Sequence, residues 1–311
     1  MTSEADAPSA RPVAAPRPLP WRRLYLWSVR RELWEHRSIY VAPAAVSALV
    51  MLGLLLSTFG LPHRRLGVLA MDPARQSAVV SQPYDFAALA ILATTFVVGI
   101  AYCLGALHGE RRDRSILFWK SLPVSDLTTV LAKATVPMAI LPAIAAVAVV
   151  AVQLVMFAWV SVLLAANGMD PFAPPVPLAR MTLVLLYGLV TQTLWHAPFY
   201  GWLLLVSGWT RRGAPFLWAF LPPLALCLVE KAAFNTTHLG ALLMDRVLGG
   251  DTEAFAARPR MSGGRPHLPT FDLEQIDPGR FLSNPGLWIG LVVAAAFIAG
   301  AVWLRRRRDP I

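Results

Sequence analysis

Residues 136–164 read VPMAILPAIAAVAVVAVQLVMFAWVSVLL, a long run without a single charged side chain. As an α-helix this run would be about 44 Å long, whereas the hydrocarbon core of a bilayer is about 30 Å thick. Two spans would need about forty residues and a turn between them, so the length predicts one tilted membrane helix with a bend at Pro142. The run therefore indicates an integral membrane protein.

Similar apolar runs occur along most of the sequence. Hydrophobic residues make up 56% of the 311 residues and charged residues only 15%, which excludes an ordinary soluble protein. We predict an all-α protein that crosses the membrane six times. The approximate spans are residues 39–59, 86–107, 136–164, 181–206, 214–234 and 285–304.

The distribution of lysine and arginine predicts the orientation of the chain, because cytoplasmic loops carry most of these residues. With the N-terminus inside, the inner segments hold eighteen of them and the outer segments hold ten. Splitting residues 136–164 into two spans would place Arg211, Arg212 and the tail at 305–308 outside. The count therefore favours six spans with both termini in the cytoplasm. Since the net charge of +10 follows this topology, we expect no nucleic-acid partner.

The N-terminal part predicts two different segments. Residues 1–20 are rich in alanine and proline and predict a disordered cytoplasmic tail. Residues 21–37 have the composition of an amphipathic helix that lies in the membrane interface, beside the lipid phosphates. Helical spacing separates an apolar face from a basic face, with these members: Trp21, Leu24, Tyr25 and Val29 against Arg23, Arg30 and Arg37. The alternative is a simple cytoplasmic extension of the first span.

One inner loop differs from the other connections. Residues 108–135 read HGERRDRSILFWKSLPVSDLTTVLAKAT and join the second and third spans. A charge cluster at Glu110–Arg114 precedes a short amphipathic run, which Pro123 ends. Ser125 suits the N-cap of a following helix. The pattern predicts a short helix parallel to the membrane, a turn, and then the third span.

This loop resembles that of a known family, the type-2 ABC exporter permeases, whose architecture is often called the type V exporter fold. The resemblance rests on Glu110, on the tetrapeptide LPVS at 122–125 and on Lys133. The Arg31-Glu32 pair in a basic helix before the first span, the six spans and a long outer segment are also similar. Together these features cover nearly the whole chain.

The resemblance implies a six-span permease domain over residues 38–308 and makes the loop at 108–135 a coupling helix. Such a helix docks in a groove of a separate ATPase, with apolar anchors for affinity and charges for register. The docking residues predicted here are Glu110, Arg111, Arg112, Arg114, Ile116, Leu117, Phe118, Trp119 and Pro123. The alternative is a basic inner loop whose apolar side chains lie on lipid headgroups.

The sequence has no P-loop of its own. That motif needs a lysine after glycine, and none of the three lysines, Lys120, Lys133 and Lys231, follows a glycine. We therefore expect a transporter subunit without catalytic residues, metal or cofactor, with ATP and Mg²⁺ bound by a partner. The expected assembly has two ATPase subunits and a second permease subunit, identical or homologous, in the bacterial cytoplasmic membrane.

Polar side chains within the spans are candidates for a transport pathway, since they are costly in hydrocarbon unless they have partners or water. The pathway candidates are Gln192, Thr193, His196 and Tyr200 in the fourth span, Thr94 in the second span and Gln153 in the third. Hydrogen bonding between helices is an equal alternative.

The outer side of the fifth span carries a charged pair, Glu230 and Lys231, which we predict to form an outer gate. The following segment, 235–284, is extracytoplasmic, and its first part is apolar enough to supply short capping helices. The substrate predicted for the exporter is amphiphilic, such as a lipid, a drug or an antimicrobial peptide. A scaffold that recruits an ATPase without transport, or a membrane-embedded enzyme, are the competing functions.

Overall fold

The structure is a computed structural model that describes residues 20–57, 67–68, 72–113, 124–172, 176–210, 213–250, 254–255 and 273–307. Three of the sequence predictions fall wholly or partly elsewhere. The predicted disordered tail, apart from Pro20, the loop residues 114–123, and residues 251–253 and 256–272 of the predicted extracytoplasmic segment lie outside the described residues.

The described part of the chain is almost entirely helical, as predicted. In chain order the α-helices are α1 (Trp21–Glu35), α2 (Ser38–Ser57), α3 (Pro73–Ala106), α4 (His108–Arg112), α5 (Asp126–Thr135), α6 (Leu141–Ala166), α7 (Leu178–Trp209), α8 (Pro215–Phe234), α9 (His238–Leu248), α10 (Pro278–Ser283) and α11 (Pro285–Arg307).

Within the described residues, six helical segments are long and apolar enough to cross a membrane, which confirms the predicted number. The chain is a multi-pass helical membrane protein. The segments are Ser38–Ser57, Val79–Arg112, Asp126–Ala166, Leu178–Trp209, Pro215–Phe234 and Pro285–Arg307.

The second span is longer than its apolar core predicted. Helix α3 begins at Pro73 rather than near residue 86, directly after Asp72. A proline suits the first position of a helix for two reasons. Its fixed φ is already helical, and the N–H that it lacks would have had no partner at that position. The helix therefore extends well beyond the apolar residues that define the span.

The third span is one continuous helix with an irregular turn. Ser125 caps α5, since its side-chain oxygen accepts a hydrogen bond from the Thr128 N–H at 3.1 Å, as the sequence predicted. A π-helical turn at Val136–Ile140 then joins α5 to α6. The π turn lies just before Pro142, where the sequence predicts a bend, at a position where prolines interrupt the α-helical ladder.

Small residues bring α7 and α11 close together. A Cβ built on Gly201 would lie 3.2 Å from the Ala294 carbonyl oxygen, so the two backbones approach as far as glycine permits. Close approach of backbones is a common way for membrane helices to associate. This pairing fixes α11 beside the centre of the bundle.

The bundle has two ends that carry different residues. The end that holds α1, α4 and Arg305–Arg307 is called the basic end here. At the opposite end, α8 stops at Asn235, which adopts a left-handed backbone conformation with φ 52°. The chain then turns into α9, which packs back against α7.

Candidate functional site

A buried ionic cluster lies at the basic end, where α1, α4, α5 and α11 meet. Its members are Arg31, Glu32, Glu110, Asp126, Lys133 and Arg305. Glu32 and Lys133 are each 1% exposed, and Arg305 is 3% exposed. Charged side chains are almost never buried to this extent unless they are paired.

The pair of Glu32 and Lys133 forms the centre of the cluster. The Lys133 ammonium donates to both oxygens of the Glu32 carboxylate, at 2.9 and 3.0 Å. The Tyr102 hydroxyl of α3 donates to the same carboxylate at 2.8 Å. One carboxylate on α1 therefore binds groups from α3 and α5.

The carboxylate of Glu110 joins the remaining helices to this centre. Its oxygen Oε1 accepts from Arg31 at 2.8 Å and lies 3.1 Å from the Lys133 ammonium. Its oxygen Oε2 accepts from Arg305 of α11. Arg305 also donates from Nε to Asp126 at 3.0 Å, so one guanidinium binds two acids.

A serine of α7 positions the segment that carries Glu110. The Ser207 hydroxyl accepts from the backbone N–H groups of Leu107 and His108 at 3.1 and 3.0 Å, and donates to the Leu104 carbonyl at 2.8 Å. These bonds satisfy backbone groups where α3 ends and α4 begins. The register of Glu110 is therefore set by α7.

The six members of the ionic cluster are three acids and three bases, and a fourth acid, Glu35 at the more exposed edge, lies 3.4 Å from Arg31. Removing a charge from water is expensive, and the attraction between partners offsets this cost only when each charge keeps its hydrogen bonds. Loss of one member would leave an uncompensated buried charge. The cluster therefore holds its helices together as a unit.

The ionic cluster includes residues on both sides of the loop at 114–123. Glu110 precedes the loop, Asp126 follows it, and Arg305 binds both acids. The two ends of the loop are thus tied to each other through α11 and to α1 through Arg31 and Lys133.

The described docking candidates are arranged differently from one another. Glu110 is 7% exposed and bonded within the chain, whereas Arg112 is largely exposed and pairs with Asp113 at 3.2 Å. The Arg111 guanidinium donates to the Gly208 carbonyl near the end of α7. The other docking candidates, Arg114, Ile116, Leu117, Phe118, Trp119 and Pro123, lie outside the described residues. Docking itself stays a prediction.

Helix α1 presents an aromatic surface to its surroundings. The Tyr25 hydroxyl is hydrogen-bonded to Thr135, so part of the predicted apolar face packs on α5. Trp27 and Trp34, on the side nearer the arginines, are 61% and 59% exposed. The Arg30 guanidinium stacks over the Trp34 ring at 4.6 Å. The exposed side of α1 is therefore both aromatic and basic.

Three groups beside the ionic cluster have the geometry of a metal site but not its chemistry. Glu32, Glu35 and His36 offer ligand atoms within 4.8 Å of one another. Both oxygens of Glu32 already bind Lys133, which a cation would have to displace. Partial burial lowers the pKa of His36 below its usual value, although Glu32 opposes this shift. We assign no metal site to them.

A second feature, a cavity of about 390 Å³, lies within the spans among α3, α6 and α7. Five of the predicted pathway residues line it: Gln153, Gln192, Thr193, His196 and Tyr200. Thr94 is not a lining residue and donates to the Ala90 carbonyl at 2.8 Å, whereas the neighbouring Thr95 lines the cavity. The pathway role of these residues stays a prediction.

Helix α9 packs over one side of this cavity, and its residue Val247 lines the cavity. The ring nitrogen Nε2 of His196 lies 3.0 Å from the Val247 carbonyl, and the Trp195 indole donates to the Asp245 carbonyl at 2.9 Å. The Arg246 guanidinium stacks over Trp195 at 4.2 Å. The outer segment thus supplies a cover for the cavity.

Glu230, one of the two gate candidates, binds the start of α9. Its carboxylate accepts from the N–H groups of His238 and Leu239 at 2.8 and 2.9 Å and from the Thr236 hydroxyl at 2.9 Å. A carboxylate is favoured at a helix N-terminus, because the first N–H groups have no partner within the helix. Lys231 is exposed.

Sequence reasoning missed the roles of three members or neighbours of the ionic cluster. Arg305 enters the sequence analysis only within the basic tail at 305–308, and neither Asp126 nor Tyr102 is among its candidate residues. The signal for Arg305 was its place at the first charged position after an apolar span.

Comparisons of the chain with protein-family models, curated proteins and solved structures gave no significant match.

Proposed function

We propose that this chain is the membrane-spanning permease subunit of an ATP-driven exporter of the type-2 ABC class. A separate P-loop ATPase hydrolyses ATP and binds the loop at 114–123. The observation that carries this proposal is the ionic cluster, which joins Glu110 and Asp126 on the two sides of the loop through Arg305. A loop that only connected two spans would not need a buried charge network at its base.

The ionic cluster suits the transmission of force. Glu110 follows α3 directly, Asp126 begins the helix that continues into α6, and Arg305 ends α11. Breaking one buried pair costs about 3–5 kcal/mol, so a push on the loop moves the three spans together rather than parting them. Movement of spans around a substrate path is what a pump needs from ATP hydrolysis.

The orientation of the proposed subunit places the basic end in the cytoplasm, with both termini inside. The exposed tryptophans Trp27 and Trp34 support an interfacial position for α1, because indole rings favour headgroup depth. Arg30, stacked on Trp34, then lies beside the lipid phosphates. The functional unit is a pair of permease subunits with two ATPase subunits in the bacterial cytoplasmic membrane.

Reconstitution with a P-loop ATPase that co-purifies with this chain tests the proposal. The double substitution Phe118→Ala and Trp119→Ala is expected to weaken co-purification and to lower transport-linked ATP hydrolysis at least tenfold, since aromatic anchors dominate interface energy. Trp159→Ala, which removes an exposed aromatic from α6, serves as the control and should leave both unchanged.

Normal binding and normal ATP hydrolysis in the double variant would contradict the proposal. Substrate-stimulated ATP hydrolysis separates an exporter from a scaffold that merely recruits the ATPase. A scaffold would bind the ATPase through the same loop, but added substrate would leave the hydrolysis rate constant.

A further inference from the structure

The cavity among α3, α6 and α7 contains a buried polar atom without a partner. Gln153 is 3% exposed and lines the cavity, and its amide oxygen has no hydrogen-bond partner among the described residues. A buried acceptor left in this state is destabilising, because it has lost its hydrogen bonds to water without gaining others. The Gln153 amide oxygen could therefore accept a hydrogen bond from a ligand in the cavity.

A second amide also lines the cavity. Gln192 places one end of its amide 3.2 Å from the His196 ring nitrogen Nε2, and the other end has no partner among the described residues. Thr95 satisfies its own hydroxyl on the Leu92 carbonyl at 2.8 Å and so makes no demand. The two glutamines are thus the groups that a ligand would complete.

The rest of the cavity wall is mainly apolar. Leu92, Leu141, Leu185 and Met181 lie on it, and the volume of about 390 Å³ falls within the range of small-molecule sites. Asp85 also lines the cavity and already interacts with another residue. An anionic ligand would meet this acid with no lysine or arginine among the described lining residues, and a cationic ligand would have to share an acid that another residue engages.

We propose that this cavity binds a small uncharged amphiphile whose hydroxyl or N–H group donates to the amide oxygen of Gln153. The apolar body of the ligand lies against the leucines and Met181, under the cover formed by α9 and Phe255. This inference names the substrate class of the proposed exporter and in that respect rests on the proposed function. Binding itself requires no ATPase, so the two are tested separately.

The probe is a diazirine-bearing analogue of 1-decanol, compared with its methyl ether, which has the same body but no donor. The purified full chain in lipid nanodiscs is irradiated with each probe, and the labelled peptides are identified by mass spectrometry. The alcohol is expected to label cavity residues of α3, α6 and α7, and excess 1-decanol should suppress this labelling. The ether should label them about two- to tenfold less, as expected for one lost hydrogen bond.

Substitutions locate the interaction. Gln153→Leu should remove the preference for the alcohol over the ether, whereas Val155→Ala, on the exposed side of the same helix, should keep it. Gly188→Leu adds a side chain in the cavity wall and should reduce labelling by both probes. This second variant decides the matter if Gln153→Leu lowers the melting temperature enough to prevent purification.

Equal labelling by alcohol and ether, labelling confined to exposed helix faces, or an unchanged preference in Gln153→Leu would overturn the inference. Transport-linked ATP hydrolysis without cavity labelling would overturn it and leave the exporter standing. Cavity labelling that meets all these expectations, in a chain that no ATPase drives, would support the binding site and contradict the exporter.

Discussion

Lys133 and Glu32 face each other with the ammonium 2.9 and 3.0 Å from the two carboxylate oxygens, and each side chain is only 1% exposed. The two residues are separated by 101 positions in the sequence. Their pairing fastens the N-terminal helix to the start of the third span. A helix attached in this way moves with the span rather than drifting independently in the interface.

We expect Lys133→Met to destabilise the protein by about 3–5 kcal/mol, because it leaves the Glu32 carboxylate buried without its main partner. The measurement is thermal unfolding of the purified chain in nanodiscs. Lys231→Met is the matched control, since Lys231 is exposed, and it should change stability by less than about 0.5 kcal/mol. The combination of Glu32→Gln with Lys133→Met should cost less than the sum of the single changes. Additive costs would contradict a direct pairing.

Arg305→Gln should separate the two ends of the loop at 114–123, because this guanidinium binds both Glu110 and Asp126. In the reconstituted complex the ATPase would still bind, but its hydrolysis would respond at least tenfold less to substrate. Arg306→Gln changes an exposed neighbour on the same helix and should behave like the unaltered chain. Equal effects of the two substitutions would show that total charge at this terminus, and not the bridge, is what matters.

Glu230→Ala should loosen α9, since three hydrogen bonds at its start depend on this carboxylate. We expect local opening to become easier, because the N–H groups of His238 and Leu239 lose their acceptor. Hydrogen exchange of the amides at 238–248 reports this opening, with Lys231→Ala as the control. Unchanged exchange in Glu230→Ala would mean that other contacts, such as those of Trp195, hold the helix in place.

Gly201→Val should disrupt the packing of α7 on α11. The first added carbon would meet the Ala294 carbonyl oxygen at 3.2 Å and the Phe297 Cβ at 3.3 Å, and neither neighbour can move without shifting a helix. Overpacking of this kind costs about 1–3 kcal/mol. Gly188→Ala is the control, because its nearest neighbour would be the Phe255 ring at 3.9 Å. Thermal unfolding of both variants provides the comparison.

Stability should fall as the pH drops below about 6.5, and His36 should account for part of the loss. Partial burial lowers the pKa of this residue in the folded protein, so the unfolded chain takes up the proton first. Because protonation then favours the unfolded state, the stability contribution is complete above the unfolded pKa and decreases below it. His36→Gln should reduce the change in melting temperature between about pH 7 and pH 5, the range in which histidine usually titrates. An unchanged slope would contradict this role.

The sequence predicted the spans well because the signal is local. A run without charges that is long enough to cross a bilayer predicts a span from its own residues alone. Ser125 likewise caps a helix through a bond to a residue only three positions away. The π turn at 136–140 was not predicted. Two prolines in this region each remove a backbone donor, but the sequence does not state which helical register absorbs the loss.

The ionic cluster was only partly predictable because its pairs join distant positions. Glu110 and Lys133 were singled out through the resemblance, whereas Arg305 lies 195 residues from Glu110. At the end of an apolar span, an arginine that marks topology and an arginine that binds a buried acid look the same in the sequence. The packing of α11 on α7 and on α5 brings Arg305 to its partners, and this packing joins parts of the chain that are far apart in the sequence.

The π turn at 136–140 also fixes a phase relation along one helix. Lys133 lies before the turn and Gln153 lies after it. One continuous helical segment therefore carries both a charge of the ionic cluster and the amide oxygen of the cavity that has no partner among the described residues. Each residue rotates an α-helix by about 100°, and a π turn corresponds to one additional residue. With the same sequence, an uninterrupted α-helix would therefore point these two side chains in a different relative direction about the helix axis. The π turn thus sets the angle about the helix axis between the side chains of Lys133 and Gln153.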